Sequence, residues 1–544
     1  MGTSARALTA AIGLWLATAS LAAQQPAFQV VHYDIGLDLP RSGKTIEGVA
    51  SLTVRRLVRV DTLGLDLLDM KVSLVTEAGK QIGFSQRAGR LNIYVGGSRQ
   101  DTLHVTITYS GVPTDGLIIS TDSAGRWLAF GDNWPNRARH WIPSVDHPSS
   151  KATVTWTVRA PAGRRIVANG ELISEREVPR PADPDGAFGS PSARTETVWR
   201  ESRPIPMDVM VIAAAPLERF DFGNTACGLA ELGRCVPQMV YTAPEQRPIL
   251  PGAFAEADSI VTFFARTVGP FPYEKLAHLQ SSTIFGGMEN ASAIFYADKM
   301  FRLAGVQYDV IAHETAHQWF GDAVTEREWS HLWLSEGFAT YFAALYTQHS
   351  RGDSAFRATM EKVRETVLKA EEVTRRPVID TIETKLTSLL NANSYEKGGF
   401  VLHMLREELG DSAFFRGLRR YVLEHRHGTA LTDDLQQALE AESGRTLKPI
   451  FDQWLRRPGY PEIAVTWTHD ATKKELSVTV TQSGRFGYFA FPLTVGYSDG
   501  TGSHRIRLAV PAAQAHTFGV HATDGPPVSL RVDPDVSLLA KIAR

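Results

Sequence analysis

From about Phe28 to Tyr241, apolar and polar positions alternate with a period of two. Leu103, Val105, Ile107 and Tyr109 show it in one stretch, Val154, Trp156 and Val158 in another. Successive side chains of an extended backbone point to opposite faces, so the pattern predicts strands buried on one side. Pro and Gly interrupt the segment repeatedly, and the tract from Pro179 to Pro191 reads as a surface loop between strands. Residues 24–245 are expected to form an all-β N-terminal domain.

From about Ile249 to Leu455 the period becomes helical. Phe400, Val401, Met404 and Leu405 recur along one helix, with Gly410 placed to cap it. Thr432 starts another, with Leu435, Ala438 and Leu439 inward and Gly444 at its end. Residues 246–457 are expected to form a mainly α domain. Pro458-Gly459-Tyr460-Pro461 breaks that run; beyond it Leu476, Val478 and Val480 alternate again, and Asp499-Gly500 marks a turn. Residues 462–544 are long enough for a small β-sandwich. The fold class is multidomain α+β.

Composition narrows the reading. A chain of 544 residues exceeds one hydrophobic core, which fits several domains. Hydrophobic content of 43% and charged content of 21% are those of an ordinary soluble protein. A net charge of −2 argues against nucleic acid and anionic membrane surfaces as partners. At the N-terminus, Arg6 precedes an apolar stretch from Ala7 to Ala19, followed by Ser20, Leu21, Ala22 and Ala23. That is the pattern of a signal peptide over residues 1–23, too short to span a bilayer. A disordered or tethering N-terminal helix is the alternative. Export to the periplasm or medium is expected, with no integral membrane segment after signal removal. Cys227 and Cys235 are the two cysteines; in an oxidising compartment they can close a small loop, with two free thiols as the alternative.

The helical segment contains His313-Glu314-Thr315-Ala316-His317, with Glu336 nineteen residues beyond His317. Positions i and i+4 of a helix lie on one face, so both imidazoles can reach one metal. His313, His317 and Glu336 read as three ligands of one zinc ion with a fourth position open to water, and Glu314 as the general base. Trp319 and Phe320 continue the apolar face, and Gly321 is expected to end the helix. Trp333 to Ala339 opens a second helix-compatible run, from which Glu336 projects. His425-Arg426-His427 reads as a solvated helix end, with no carboxylate or cysteine at ligand spacing. Asp322 reads either as a carboxylate behind a zinc histidine or as an exposed helix end.

Taken with Gly286-Gly287-Met288-Glu289-Asn290 upstream and Ser394-Tyr395-Glu396-Lys397-Gly398-Gly399 downstream, the motif resembles the aminopeptidase N family of zinc metallopeptidases, gluzincins related to leukotriene hydrolase. Gly269 to Tyr273 and Arg139 to Asp146 add to the likeness, which runs from about residue 28 to 544. The resemblance implies a saddle-like N-terminal β-sheet domain, a thermolysin-like catalytic domain and one Zn2+ per chain. It implies that Glu314 handles the proton of the attacking water and that Tyr395 donates to the oxyanion. Glu289 would bind the α-amino group of a peptide substrate with a free N-terminus. Gly286, Gly287, Met288 and Asn290 would complete the substrate site, with the backbone at Gly286 and Gly287 pairing with the substrate chain and Met288 a core or pocket wall.

Two departures qualify the likeness. Where relatives place a second amine-binding Gln or Glu, this sequence has Trp134, preceded by Asp132 and Asn133. Either of these could substitute through a local shift, or Trp134 could stack on the substrate by a cation–π contact. The sequence also resembles a short form without the long C-terminal helical domain, from which a more open cleft and no strict peptide-length limit are expected. An endopeptidase with the same metal machinery, an epoxide hydrolase, and a peptide-binding protein with a dead site are the rival readings. Glu289 speaks against the first, the lack of any sign of a lipid tunnel against the second, and the full ligand set against the third.

Overall fold

The computed structural model describes residues 26–178, 193–302, 307–500, 502–521 and 526–543. The expected signal segment and the tract from Pro179 to Pro191 lie outside them. The expected alternation is present: Thr102–Gly111 buries Leu103, Val105, Ile107 and Tyr109, and Lys151–Pro161 buries Val154, Trp156 and Val158. Both strands belong to an eight-stranded sheet centred on Phe28–Asp38. That strand pairs parallel to Lys151–Pro161, with Ile35 opposite Trp156, and antiparallel to Ile46–Arg56. A four-stranded sheet of Leu117–Thr121, Trp127–Gly131, Arg165–Ala168 and Ile212–Ala215, and a three-stranded sheet, complete the N-terminal part.

Within the expected 24–245, the last two strands do not join the sheets described above. Glu218–Thr225 and Val236–Thr242 alternate like the preceding strands, but they pair into a separate, five-stranded sheet with Leu276–Ser281, Ala293–Ala297 and Gly287–Met288. Periodicity reports that a segment is a strand; the partner is chosen by contacts distant in sequence, which periodicity does not carry. The mainly α region is thus fronted by a five-stranded sheet whose edge strand is Gly287–Met288. Cys227 and Cys235 are joined by a disulfide between its first two strands.

Counting helices of eight residues or more, the middle region holds α1 (Ala257–Val268), α2 (Tyr308–His317), α3 (Trp333–Arg351), α4 (Asp353–Glu371), α5 (Gly398–Leu409), α6 (Asp411–His425), α7 (Thr432–Ser443) and α8 (Lys448–Leu455). Gly410 follows α5 at φ 75° and Gly444 follows α7 at φ 67°, the left-handed conformation that ends a helix without steric cost. The helix with the two motif histidines stops at His317, not at Gly321 as expected. Its last turn tightens, the Gln318 and Trp319 N–H groups bonding three residues back to Thr315 and Ala316, and Gly321, at φ 120°, reverses the chain. The described C-terminal residues form two sheets, of four and three strands.

Close helix crossings position the interior. A Cβ on Gly337 of α3 would meet the backbone carbonyl carbon of Gly398 at 2.9 Å, so α3 and the start of α5 touch backbone to backbone. Immediately before α5, Asn393–Lys397 form a single π-helical turn, the kind of local widening often found at functional sites. The fully buried Lys397 in that turn pairs with Glu371 of α4, which also accepts from Gly459 N–H at 3.1 Å. The N-terminal sheet is tied in by Lys151. Its buried ammonium donates to the carbonyls of Asp322, Ala323 and Gly428 at 2.7, 2.9 and 3.0 Å.

Candidate functional site

Gln307, extended at ψ 146°, starts α2, and Asp309 in the first turn complements the helix dipole. His313 and His317 then lie one turn apart on the face turned towards α3, where Glu336 stands in the first turn. The His313 and His317 Nε2 atoms are 3.2 Å apart, and Glu336 Oε2 lies 3.4 and 3.3 Å from them. Two atoms each about 2.1 Å from a common tetrahedral centre are about 3.4 Å apart. Glu336 Oε2 is moreover buried without a hydrogen bond of sound geometry. Two imidazoles and a carboxylate converging on one point suit zinc.

His317 Nδ1 lies 3.1 Å from the Phe320 carbonyl oxygen and 2.9 Å from Ser335 Oγ. A carbonyl accepts only, so Nδ1 carries the proton and Nε2 keeps its lone pair for the metal. Gly321 permits this contact, since a Cβ there would run into Ser335 Oγ. Asp322, a candidate for this supporting role, instead accepts from Gln318 Nε2 at 2.9 Å. It is fully buried, so it is not an exposed helix end either.

A cavity of about 500 Å³ is lined by His313 and Glu336 of the ligand set. Glu314, beside His313, faces it without joining the ligand set, and its carboxylate rests against Gly287: a Cβ at Gly287 would collide with Glu314 Oε1. Burial pushes the Glu314 carboxyl well above the usual range, with His317 opposing and Glu289 and Glu336 adding. A raised carboxyl is a stronger proton acceptor. Tyr395 comes from the π-helical turn, its ring 5.9 Å from that of His313 and near-parallel. Burial first, then the Glu336 and Glu289 carboxylates, raise its phenol well above the ordinary value, so the hydroxyl remains a donor. Carboxylate oxygens of Glu289 and Glu314 and a ring nitrogen of His317 lie within 4.8 Å of one another.

Gly286, Gly287, Met288, Glu289 and Trp134 all line the cavity; Asn290 does not. Asn290 is fully buried, its carbonyl accepting from Ala293 N–H at 2.9 Å. The question at Trp134 also narrows. Asp132 pairs with Arg137 at 2.8 Å, and Asn133 holds the carbonyls of Met207 and Met210 and the Trp141 indole N–H. Both are fully buried and committed, leaving Trp134 on the wall, edge-on to Phe285 and Trp329 with centroids 5.7 Å apart in each case. The His425-Arg426-His427 cluster is not simply solvated: Glu231 lies 2.6 Å from His427 and 3.3 Å from Arg426. Sequence reasoning missed Thr340, Ala343 and Thr347, which line the cavity beyond Glu336. Their helical spacing from Glu336 along α3 was the available signal.

Two histidines, a ligating carboxylate and a second carboxylate beside them define a mononuclear metal centre suited to hydrolysis. The chain belongs to peptidase family M1: the Peptidase family M1 domain matches residues 253–454 and the Peptidase M1 N-terminal domain residues 29–182, together more than half of it. It is similar to glutamyl aminopeptidase of Homo sapiens, 27% identical over 491 residues covering 82% of this chain and 48% of that one. Leucyl aminopeptidase of Saccharolobus solfataricus is 25% identical over 478 residues, 80% of this chain and 54% of the other. The chain thus spans about half the length of these curated relatives. Among solved structures, Legionella pneumophila aminopeptidase A in complex with aspartic acid superposes with a TM-score of 0.79 at 19% identity, covering 95% of this chain and 60% of that one. A mutant of an M1 zinc metallopeptidase from Deinococcus radiodurans gives 0.66 at 24%, covering 79% and 95%. These two likenesses bear on the fold.

Replacing Ser335 by Ala removes one partner of the His317 ring. Metal affinity, measured by competition with a chromogenic chelator, is expected to fall by about tenfold.

Proposed function

We propose that this protein is an exported zinc-dependent aminopeptidase that removes N-terminal residues from peptides. The carrying observation is that Glu289, Glu314 and His317 converge within 4.8 Å on the ligand cluster, beside the edge strand Gly287–Met288. His313, His317 and Glu336 would hold the zinc, which when bound supplies Lewis acidity and acidifies water at its open position. Glu314 accepts a proton from the attacking water and passes it to the amine that leaves, so the proton ends on the new N-terminus. Tyr395 donates a hydrogen bond to the carbonyl oxygen as it gains charge. The edge strand at Gly287 has free backbone groups to pair with an extended peptide. Glu289 receives the substrate ammonium; burial raises its carboxyl, with His317 opposing and Glu336 adding, and an arriving cation would stabilise the ionised form.

Two of the relatives carry aminopeptidase names, which supports the reaction class. Export rests on the apolar stretch from Ala7 to Ala19, and the Cys227–Cys235 disulfide is consistent with an oxidising compartment. Mass spectrometry of the protein recovered outside the cytoplasm should find its N-terminus near Gln24; an intact Met1 there would refute signal cleavage.

Aminoacyl chromogenic substrates should be hydrolysed, the activity should vanish with a chelator and return with zinc, and the N-acetylated substrates should stay intact. Strong internal cleavage of a blocked peptide would favour the endopeptidase reading instead. Glu314→Gln should retain zinc yet lose turnover, and Tyr395→Phe should lower kcat by about 10²-fold or more, the effect of losing one oxyanion donor. Steady-state kinetics with metal analysis on both variants checks this, and unimpaired turnover in either would remove that residue from the mechanism.

A further inference from the structure

The segment that carries Glu289 is not held by its own strand pairing. Gly287 and Met288 make a two-residue edge with Tyr296 and Phe295, and Ser292 then takes φ 60°, a left-handed conformation uncommon for a residue with a side chain. Such a conformation persists when its surroundings over-determine it. The bonds that do so converge on the turn after Glu289. Lys275 Nζ donates to the Ser292 carbonyl at 3.2 Å, Gly170 N–H donates to Ser292 Oγ at 2.7 Å, and Asn169 Nδ2 donates to the Ala291 carbonyl at 2.7 Å.

On the other side stands one side chain, Gln318, fully buried and adjacent to His317. Its Nε2 donates to the carbonyl of Glu289 itself at 2.8 Å and to Asp322 Oδ2 at 2.9 Å. Its Oε1 accepts from Ser292 N–H at 2.7 Å. Both amide protons and the oxygen are engaged, and the Asp322 carboxylate, an acceptor when ionised, fixes which way the amide faces. Replacing the amide by any group without both functions leaves a buried carbonyl or N–H unpaired.

We infer that Gln318 is a positioning residue that couples the amine-recognising Glu289 to the metal helix, setting the distance between the ammonium site and the scissile bond. Resting on the function proposed above, it assigns the part of free-N-terminus selection that Glu289 does not supply alone. A carboxylate that follows an edge strand of only two residues can swing; tied at its own carbonyl to the residue after a metal ligand, it moves only with the metal centre. Misplacement of one anchor by an ångström is enough to lose much of an orientation effect.

The test uses a pair of zinc-binding inhibitors, an amino-acid hydroxamate and its N-acetyl counterpart, on the zinc-loaded wild type, Gln318→Leu and Gln318→Glu. Gln318→Glu keeps the shape and the acceptor towards Ser292 but loses both donors, so it decides the matter if Gln318→Leu does not fold. Both variants are expected to retain one zinc per chain by metal analysis. The free-amine inhibitor should bind about tenfold more weakly, the scale of one buried hydrogen bond lost, while the acetylated one changes by less than about twofold. KM for aminoacyl substrates should rise more than kcat falls. A purely structural role would weaken both inhibitors equally, and that result, or an unchanged preference, would overturn the inference. A wild type that does not prefer the free amine would overturn the amine-site reading itself, and this inference with it.

Discussion

Three carboxylates, those of Glu289, Glu314 and Glu336, share one cavity; burial and mutual repulsion raise the first two, while the two histidines hold Glu336 low. Asp322 and Glu326 lie close enough to feel Glu289 as well. Such crowding is relieved by protonation, in the direction Glu289 and Glu314 are shifted, or by cations: a divalent ion on Glu336 and the two histidines and, on the proposed function, an ammonium on Glu289. The geometry around the cavity can be understood as the means of holding these acids at fixed separations. The glycine contacts follow from it. Gly287 lets Glu314 lie against the edge strand, Gly321 lets Ser335 reach His317, and the pair Gly337 and Gly398 lets the Tyr395 turn approach Glu336.

Much of this was legible in the chain. The strands of the N-terminal sheet and the ends of α5 and α7 follow from local periodicity and from glycines at positive φ, which need no knowledge of partners. The ligand set was legible because i, i+4 spacing on a helix is itself geometry. What was not legible depends on contacts distant in sequence. Glu218–Thr225 and Val236–Thr242 look like their predecessors and join another sheet. Glu231 meets His427 across 196 residues, and Asp322 turns to Gln318 rather than to His317. The early stop of α2 was hidden for a different reason: Trp319 and Phe320 are as buried as a continuing helix would make them, although the backbone has already left the helix.

The load on Glu289 completes the picture. With Asp132 paired to Arg137 and Asn133 engaged by backbone carbonyls, neither is free to share an ammonium. Trp134 offers an aromatic wall, whose attraction for a cation is about 0.5–2 kcal/mol and depends on how much water is excluded. On the proposed function, a substrate amine therefore relies on Glu289 more than it would where two acidic or amide side chains divide the task. An anchor that acts alone must be held more firmly, because no second contact corrects its drift. The four elements fastened to the following turn, namely Asn169 and Gly170 from the N-terminal part, Lys275 from the five-stranded sheet and Gln318 from the segment after the metal helix, supply that firmness. On that reading the N-terminal part bears on the site without providing a metal ligand: it would fix the place where the substrate's chain end stops.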